Sequence, residues 1–410
     1  MSLSELEKLK EYSFEMGPIR PPSEGGSRSL LIRATRNCPW SLCKFCYATF
    51  YNRERFQLRS VEEIKKDIDA AKAISEQIKT AAKKPGGLDR LAELIDPSFL
   101  YNKDSMELNQ KELQNFLSIK KVFMWLRSGA RNAFLQDANS LVMRTSDLLE
   151  VLRYLKQTFP TIQKITSYAR AKTLAQKTKT LGELKELRKA GLSRLHVGLE
   201  TGDDELLKYV NKGVTSEEHI LAGRKAKEAG FELSEYWMPG LGGKTFSKQH
   251  AINTARVLNA IDPNFVRSRR FVPRKATPLF EQWKKGEFQL LSPPEELREI
   301  GMMIENLNIT GRVCFDHFIN PHYKVDAGYV WNPYVKIRNP NIRREDLRIG
   351  SASQNQQHRY HPRYVWVFKQ DYDGYKFPEE KPTVLELVKK GLDVDESLYM
   401  HAEDLVDKSL

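Results

Sequence analysis

The stretch Leu30-Leu31-Ile32-Arg33-Ala34-Thr35-Arg36-Asn37-Cys38-Pro39-Trp40-Ser41-Leu42-Cys43-Lys44-Phe45-Cys46 governs the reading of this chain. Its first six residues are short and apolar enough for a buried strand. The loop that follows holds three of the four cysteines in 410 residues within nine positions. Three thiols that close can converge on one soft metal centre. The first histidine is His196, and Cys314 lies 268 positions beyond Cys46 (314 − 46), so the local ligand count is three. A structural zinc site takes four protein ligands, and here Cys314 would have to complete it. A ferredoxin-type cluster also takes four thiolates. A redox dithiol needs only Cys-x-x-Cys, without a third cysteine upstream. Three thiolates on a four-iron cluster leave one iron open to a substrate or cofactor.

Outward from this loop the chain alternates. Strands are predicted at Leu30–Thr35, Ala133–Leu135, Lys164–Tyr168, Arg194–Leu199, Leu233–Met238 and Phe265–Phe271. A helix follows each, at about 60–78, 146–157, 174–190, 216–229, 247–260 and 294–307. The first of these opens on Ser60 with Glu63 three places on, a capping-box signature. Alternating strands and helices imply a parallel sheet, and right-handed crossovers curl such a sheet towards a barrel. Six units do not close an eight-stranded barrel. The expected fold class is therefore α/β, a partial (β/α)6 barrel, open and TIM-like, with a C-terminal extension. The expected organisation is an arm at 1–28, the barrel at 29–310 with a helical insertion at about 83–129, and the extension at 311–410.

In βα barrels the chemistry sits at the C-terminal ends of strands. The cysteine loop ends the first strand, and polar or glycine clusters end the next four: 136–139, 167–170, 200–202 and 240–243.

With this placement the loop resembles the cluster loop of the radical S-adenosylmethionine (SAM) superfamily. There three cysteines hold a [4Fe-4S] cluster and an aromatic residue precedes the last, as Phe45 does here. The first spacing departs from that pattern, with four residues (Pro39 to Leu42) in place of three. The branch resembled is that of oxygen-independent coproporphyrinogen oxidase and the Elongator catalytic subunit. Only 37 residues precede Cys38, so no cobalamin-binding domain is expected before it.

The resemblance implies the following roles. Cys38, Cys43 and Cys46 hold the cluster, and its open iron takes SAM. Gln136, Asp137 and Asn139 occupy the place of the Gly-Gly-Glu motif that receives the methionine amino group. Ser167, Arg170 and Glu200 match SAM-holding segments, with Glu200 accepting from ribose hydroxyls. Lys212 or Arg170 pairs with the carboxylate, and Met238 or Phe45 lines the adenine. Reduction of the cluster breaks the sulfonium C–S bond, and a 5′-deoxyadenosyl radical takes hydrogen from the substrate. An electron donor such as flavodoxin or ferredoxin is implied. Asp316 and His317 are candidate acid–base groups at the rim of the site. Arg267 and Arg269 share one strand face by alternation and would clamp a carboxylate or phosphate.

Composition narrows the partners. The chain is 40 % hydrophobic and 29 % charged, with formal net charge +13. It has no apolar run of membrane-spanning length and no secretory pattern at its start, so a cytoplasmic location without membrane contact is expected. The positive charge steers anions, which favours an anionic small-molecule substrate. Residues 339–363 are rich in Arg, His, Asn and Gln, with Tyr360, Tyr364 and Trp366 interleaved, and this composition supports tRNA as the alternative substrate. A third reading, of another class, is a zinc- or Fe-S-stabilised nucleic-acid-binding module without turnover.

Overall fold

The computed structural model describes residues 8–21, 29–47, 49–104 and 107–314, together with short strand segments at 324–326, 329–331, 335–337 and 366–368. Asp316, His317 and the segment 339–363 lie outside the described residues.

Seven parallel strands form one sheet: β1 (Ser29–Arg33), β2 (Asn132–Gln136), β3 (Lys164–Ala169), β4 (Leu192–Glu200), β5 (Glu232–Trp237), β6 (Phe265–Ser268) and β7 (Arg312–Cys314). Their spatial order is their chain order, with β1 and β7 at the two edges, so the sheet is an open, partial barrel. The sequence reading had six strands. The seventh is three residues long and pairs Arg267 with Cys314. Gly311 leads into it, where an added Cβ would lie 1.9 Å from the Pro263 carbonyl oxygen; this close approach lets the edge strand meet β6.

The principal helices are α1 (Val61–Ala82), α2 (Gln110–Arg127), α3 (Thr145–Thr158), α4 (Leu181–Lys189), α5 (Ser216–Glu228), α6 (Gly243–Ile261) and α7 (Pro293–Glu305). Ser60 caps α1, and its capping box with Glu63 is complete. The helix read over 174–190 is two pieces, Ala171–Ala175 and then α4. Thr180 and Glu183 form a second capping box that restarts the chain after the break.

Strand parity sorts the side chains. Leu30, Ile32, Leu135, Leu195, Val197 and Leu233 are fully buried in the cluster shared with the helices. On the other face, Phe134, Tyr168, His196 and Tyr236 pack against one another, with the Phe134 and Tyr168 rings edge-to-face at 5.4 Å. This inner aromatic layer is the floor of the site described next.

Candidate cluster and cofactor site

Two-residue strands at Thr35–Arg36 and Gln57–Leu58 pair antiparallel and close the base of the cysteine loop. Within it Asn37 and Ser41 adopt left-handed backbone, φ 68 and 56. The Asn37 side-chain oxygen accepts from the Cys38 amide and from Ser41 Oγ. The Cys46 and Tyr47 amides both donate to the Cys43 carbonyl, at 3.0 and 2.7 Å.

The loop is fastened across the barrel mouth to the turn at 210–213. Trp40 Nε1 donates to the Asn211 carbonyl at 2.8 Å, Asn211 Nδ2 to the Leu42 carbonyl at 3.2 Å, and the Lys44 amide to the Val210 carbonyl at 2.8 Å. The Leu279 amide in turn donates to the Lys44 carbonyl at 3.1 Å. The four residues between Cys38 and Cys43 thus carry Trp40 to its anchor, which gives the wider first spacing a physical use. Gly213 has φ +71, and a Cβ there would lie 2.4 Å from the Trp40 ring. Gly213→Ala is therefore expected to destabilise the protein by about 1–3 kcal/mol and to lower iron retained by the loop, checked by urea unfolding and iron analysis.

One pocket is lined by all three loop cysteines together with Phe45, Arg170, Glu200, Lys212 and Met238. The cysteines sense one another. Burial, and then the charges on Cys46 and Cys38, push the Cys43 thiol up to about 12, against Lys212 and Arg170. Among the described residues no three His, Cys, Asp or Glu side chains come together as ligands of a single metal ion.

Opposite the cysteines, Lys212 Nζ donates to Glu200 Oε1 at 2.8 Å, and each side chain is 13 % exposed. Burial opposes the Lys212 ammonium, but the attraction of Glu200 outweighs it and the pKa is raised. Glu200 itself sits at φ 62, beside a register shift between β4 and β5. Gly198 makes room for the pair: a Cβ there would fall 2.3 Å from Glu200 Oε1 and 3.1 Å from Lys212 Nζ. Arg170 Nη2 donates to the Lys212 carbonyl at 2.9 Å, and its guanidinium lies 5.2 Å from the Trp40 ring centre. Met238 and Phe45 border a second apolar cluster built on Leu206, Leu241 and Phe271.

Other residues singled out in the sequence are placed elsewhere. Gln136 is bound by the N-terminal arm: its Oε1 accepts from the Gly17 amide at 3.0 Å and its Nε2 donates to the Gly17 and Ile19 carbonyls. Asp137 accepts from Arg33 Nε at 2.7 Å, while its Oδ1, without a hydrogen-bond partner, lies against Gly17. Burial pushes the Asp137 carboxyl up to about 6, opposed by Arg33. Asn139 bonds Thr173 Oγ1 and the Arg170 amide, and Ser167 Oγ donates to Ser140 Oγ at 2.8 Å. These groups tie neighbouring strand ends together, and none of their side chains lines the pocket. Gly242 and Gly243 pack against Phe246 and Phe288 rather than against the pocket. Of the arginines, Arg269, Arg270 and Arg274 reach the pocket wall and Arg267 does not.

Sequence reasoning passed over two residues of this wall, Tyr51 and His219, and the loop anchor Trp40 beside it. Tyr51 lines the pocket with its hydroxyl buried and without a hydrogen-bond partner. Trp40 anchors the loop. His219 is described below. Tyr51 and Trp40 sit close to the cysteines in sequence, and that proximity was the available signal; His219 sits at an ordinary core position of an amphipathic helix.

Behind Arg270, two acids of α7 are buried. Glu296 pairs with Arg270 Nε at 2.7 Å, and Glu299 accepts from the Gly240 amide at 2.6 Å. Burial pushes Glu296 up to about 7 and Glu299 up to about 8, from 4.5. An acid whose folded pKa is raised stabilises fully below its unfolded pKa and loses that stability as pH rises through the folded one. Stability is therefore expected to fall between pH 4.5 and about 8, by up to about 1.4 kcal/mol per pH unit for each group. Glu299→Gln should flatten that slope, read from urea midpoints across the range.

Residues 119–255, about a third of the chain, match the family model of the radical SAM superfamily. The match runs from α2 into α6 and leaves the cysteine loop outside it. Among curated proteins, the chain is 28 % identical over 108 residues to a tRNA uridine(34) acetyltransferase of Methanocaldococcus jannaschii, covering 26 % of this chain and 20 % of that protein. It is 34 % identical over 116 residues to the heme chaperone HemW of Bacillus subtilis (strain 168), covering 28 % of this chain and 29 % of that protein. The chain thus spans less than a third of the length of these curated relatives. Among solved structures, coproporphyrinogen III oxidase (HemN) from Escherichia coli aligns with a TM-score of 0.39 at 15 % identity, over 74 % of this chain and 55 % of that one.

Proposed function

We propose that this chain is a radical SAM enzyme whose cluster is held by Cys38, Cys43 and Cys46 and whose cofactor lies between them and Glu200, Lys212 and Arg170. The observation that carries this is one pocket lined by the three loop cysteines and by that polar group. Bound there, a [4Fe-4S] cluster and SAM supply one-electron cleavage of the sulfonium and a 5′-deoxyadenosyl radical that takes hydrogen from the substrate. The chain's own contribution is ligation, orientation and a dry wall. Lys212 and Arg170 bring donors to an anionic group. Glu200 offers a carboxylate oxygen to hydroxyls, and Met238, Phe45 and Phe271 exclude water. A flavodoxin- or ferredoxin-type donor supplies the electron, in a cytoplasmic setting that keeps four free cysteines reduced. Asp316 and His317 remain candidate acid–base groups.

The favoured substrate is a small anion, since Lys172, Arg269, Arg270 and Arg274 share the wall with Arg170 and Lys212, and among the described residues Glu200 is the one carboxylate on it. The second reading is tRNA modification, supported by the net charge of +13 and by the name of the archaeal relative. Anaerobic reconstitution is expected to give about four irons per chain and, after dithionite, slow release of 5′-deoxyadenosine from SAM. One tight zinc and no SAM cleavage would sink the proposal. Retention of total tRNA at physiological salt would favour the second substrate class.

A further inference from the structure

We infer that His219 is a further ligand-binding residue of this pocket, donating to the methionyl carboxylate of SAM beside Arg170 and Lys212. The inference rests on the SAM reading of the site. His219 lies on α5, is 1 % exposed and lines the pocket. Both its ring nitrogens are buried without a hydrogen-bond partner. His250, equally buried, shows how a structural histidine is satisfied: its Nδ1 lies 2.8 Å from Thr201 Oγ1 and its Nε2 3.1 Å from the Met238 carbonyl oxygen. A buried polar ring left unpaired carries its full desolvation cost, so the wall around His219 is complete only when an occupant bonds to it.

The neighbours define that occupant. Lys212 and Arg170 both act electrostatically on His219, and burial together with their charges keeps the ring neutral, with protonation pushed down to about 3. A neutral imidazole has one N–H to donate. The Lys212 ammonium has three donors and gives one to Glu200. Arg170 has five and gives one to the Lys212 carbonyl. Three sources of N–H therefore line one pocket, which suits an anionic oxygen pair such as a carboxylate. The Thr215, Ser216 and Glu218 amides at the start of α5 do not compete for it, because Glu218, Asp204 and Thr215 side chains already accept from them.

The test uses anaerobically reconstituted full-length protein, with SAM and decarboxylated SAM as probes in equilibrium dialysis. His219→Leu is expected to weaken SAM binding about 5- to 30-fold and to leave decarboxylated SAM within about two-fold. His219→Asn, which keeps a donor, should recover most of the loss. The unliganded His219→Leu protein should melt at or above the wild-type temperature, because the leucine removes unpaired buried nitrogens. Equal losses for both probes, unchanged SAM binding, or a lower melting temperature in the unliganded variant would each overturn the assignment. Wild-type protein that holds its cluster yet does not bind SAM overturns the site reading as well; wild-type binding with an unaffected variant overturns the His219 assignment alone.

Discussion

Cys43→Ala is expected to remove the cluster and with it all SAM cleavage. Iron after anaerobic reconstitution should fall from about four per chain to a residual level, and 5′-deoxyadenosine formation should drop by more than about 100-fold. The reasoning is one of count. The described residues bring three thiols to the pocket, and the fourth cysteine sits on the edge strand β7, opposite Arg267 and off the pocket wall. It cannot replace a lost ligand. Outer-shell changes around metal sites already cost about 10–100-fold, so losing a direct ligand exceeds that. Cys314→Ala should keep both iron and cleavage. Cluster loss in Cys314→Ala, or a full complement of iron in Cys43→Ala, would show that the ligand set has been misassigned.

Lys212→Met is expected to produce the largest loss of fold stability among single changes at this site. Lys212 and Glu200 are a largely but not fully buried pair, 13 % exposed on each side, held at 2.8 Å. Removing one partner of such a pair leaves the other charge uncompensated, at about 3–5 kcal/mol. The double variant Lys212→Met with Glu200→Gln should recover much of that, because a neutral amide needs no counter-charge. SAM affinity should not recover, since the donor to its carboxylate is still missing. Urea unfolding and equilibrium dialysis on the three proteins separate the two effects. A single variant as stable as wild type would mean that the pair contributes nothing to the fold.

Much of this architecture was legible because it depends on local signals. The period of alternation placed six of the strands, and the Ser60–Glu63 signature placed the start of α1. The three-residue β7 carries too short a pattern to be read, and it exists because β6 offers an edge. Within the site, the cysteines, Phe45, Arg170, Glu200, Lys212 and Met238 share one wall, as neighbouring strand ends of a barrel must. Gln136, Asn139 and Ser167 look the same in sequence as ligand-binding polar residues. Their partners, Gly17, Thr173 and Ser140, are brought in by the tertiary fold, and no local pattern announces them. The Ser167–Ser140 bond alone spans 27 positions. His219 was hidden for the opposite reason, since its helical spacing matches a core residue and only the absence of a partner sets it apart.

The clasp between the cysteine loop and the turn at 210–213 bears on how the holoprotein is assembled. Every bond in it, from Trp40, Asn211 and Lys44, joins protein to protein and needs no iron. Small zinc domains differ, because there the metal drives folding and its removal unfolds the chain. Here the barrel acts as a mould that shapes the socket before iron arrives. With the cluster proposed above, loading is expected as a late step on a finished scaffold, and oxygen damage to the metal should leave an empty but folded protein that can be refilled.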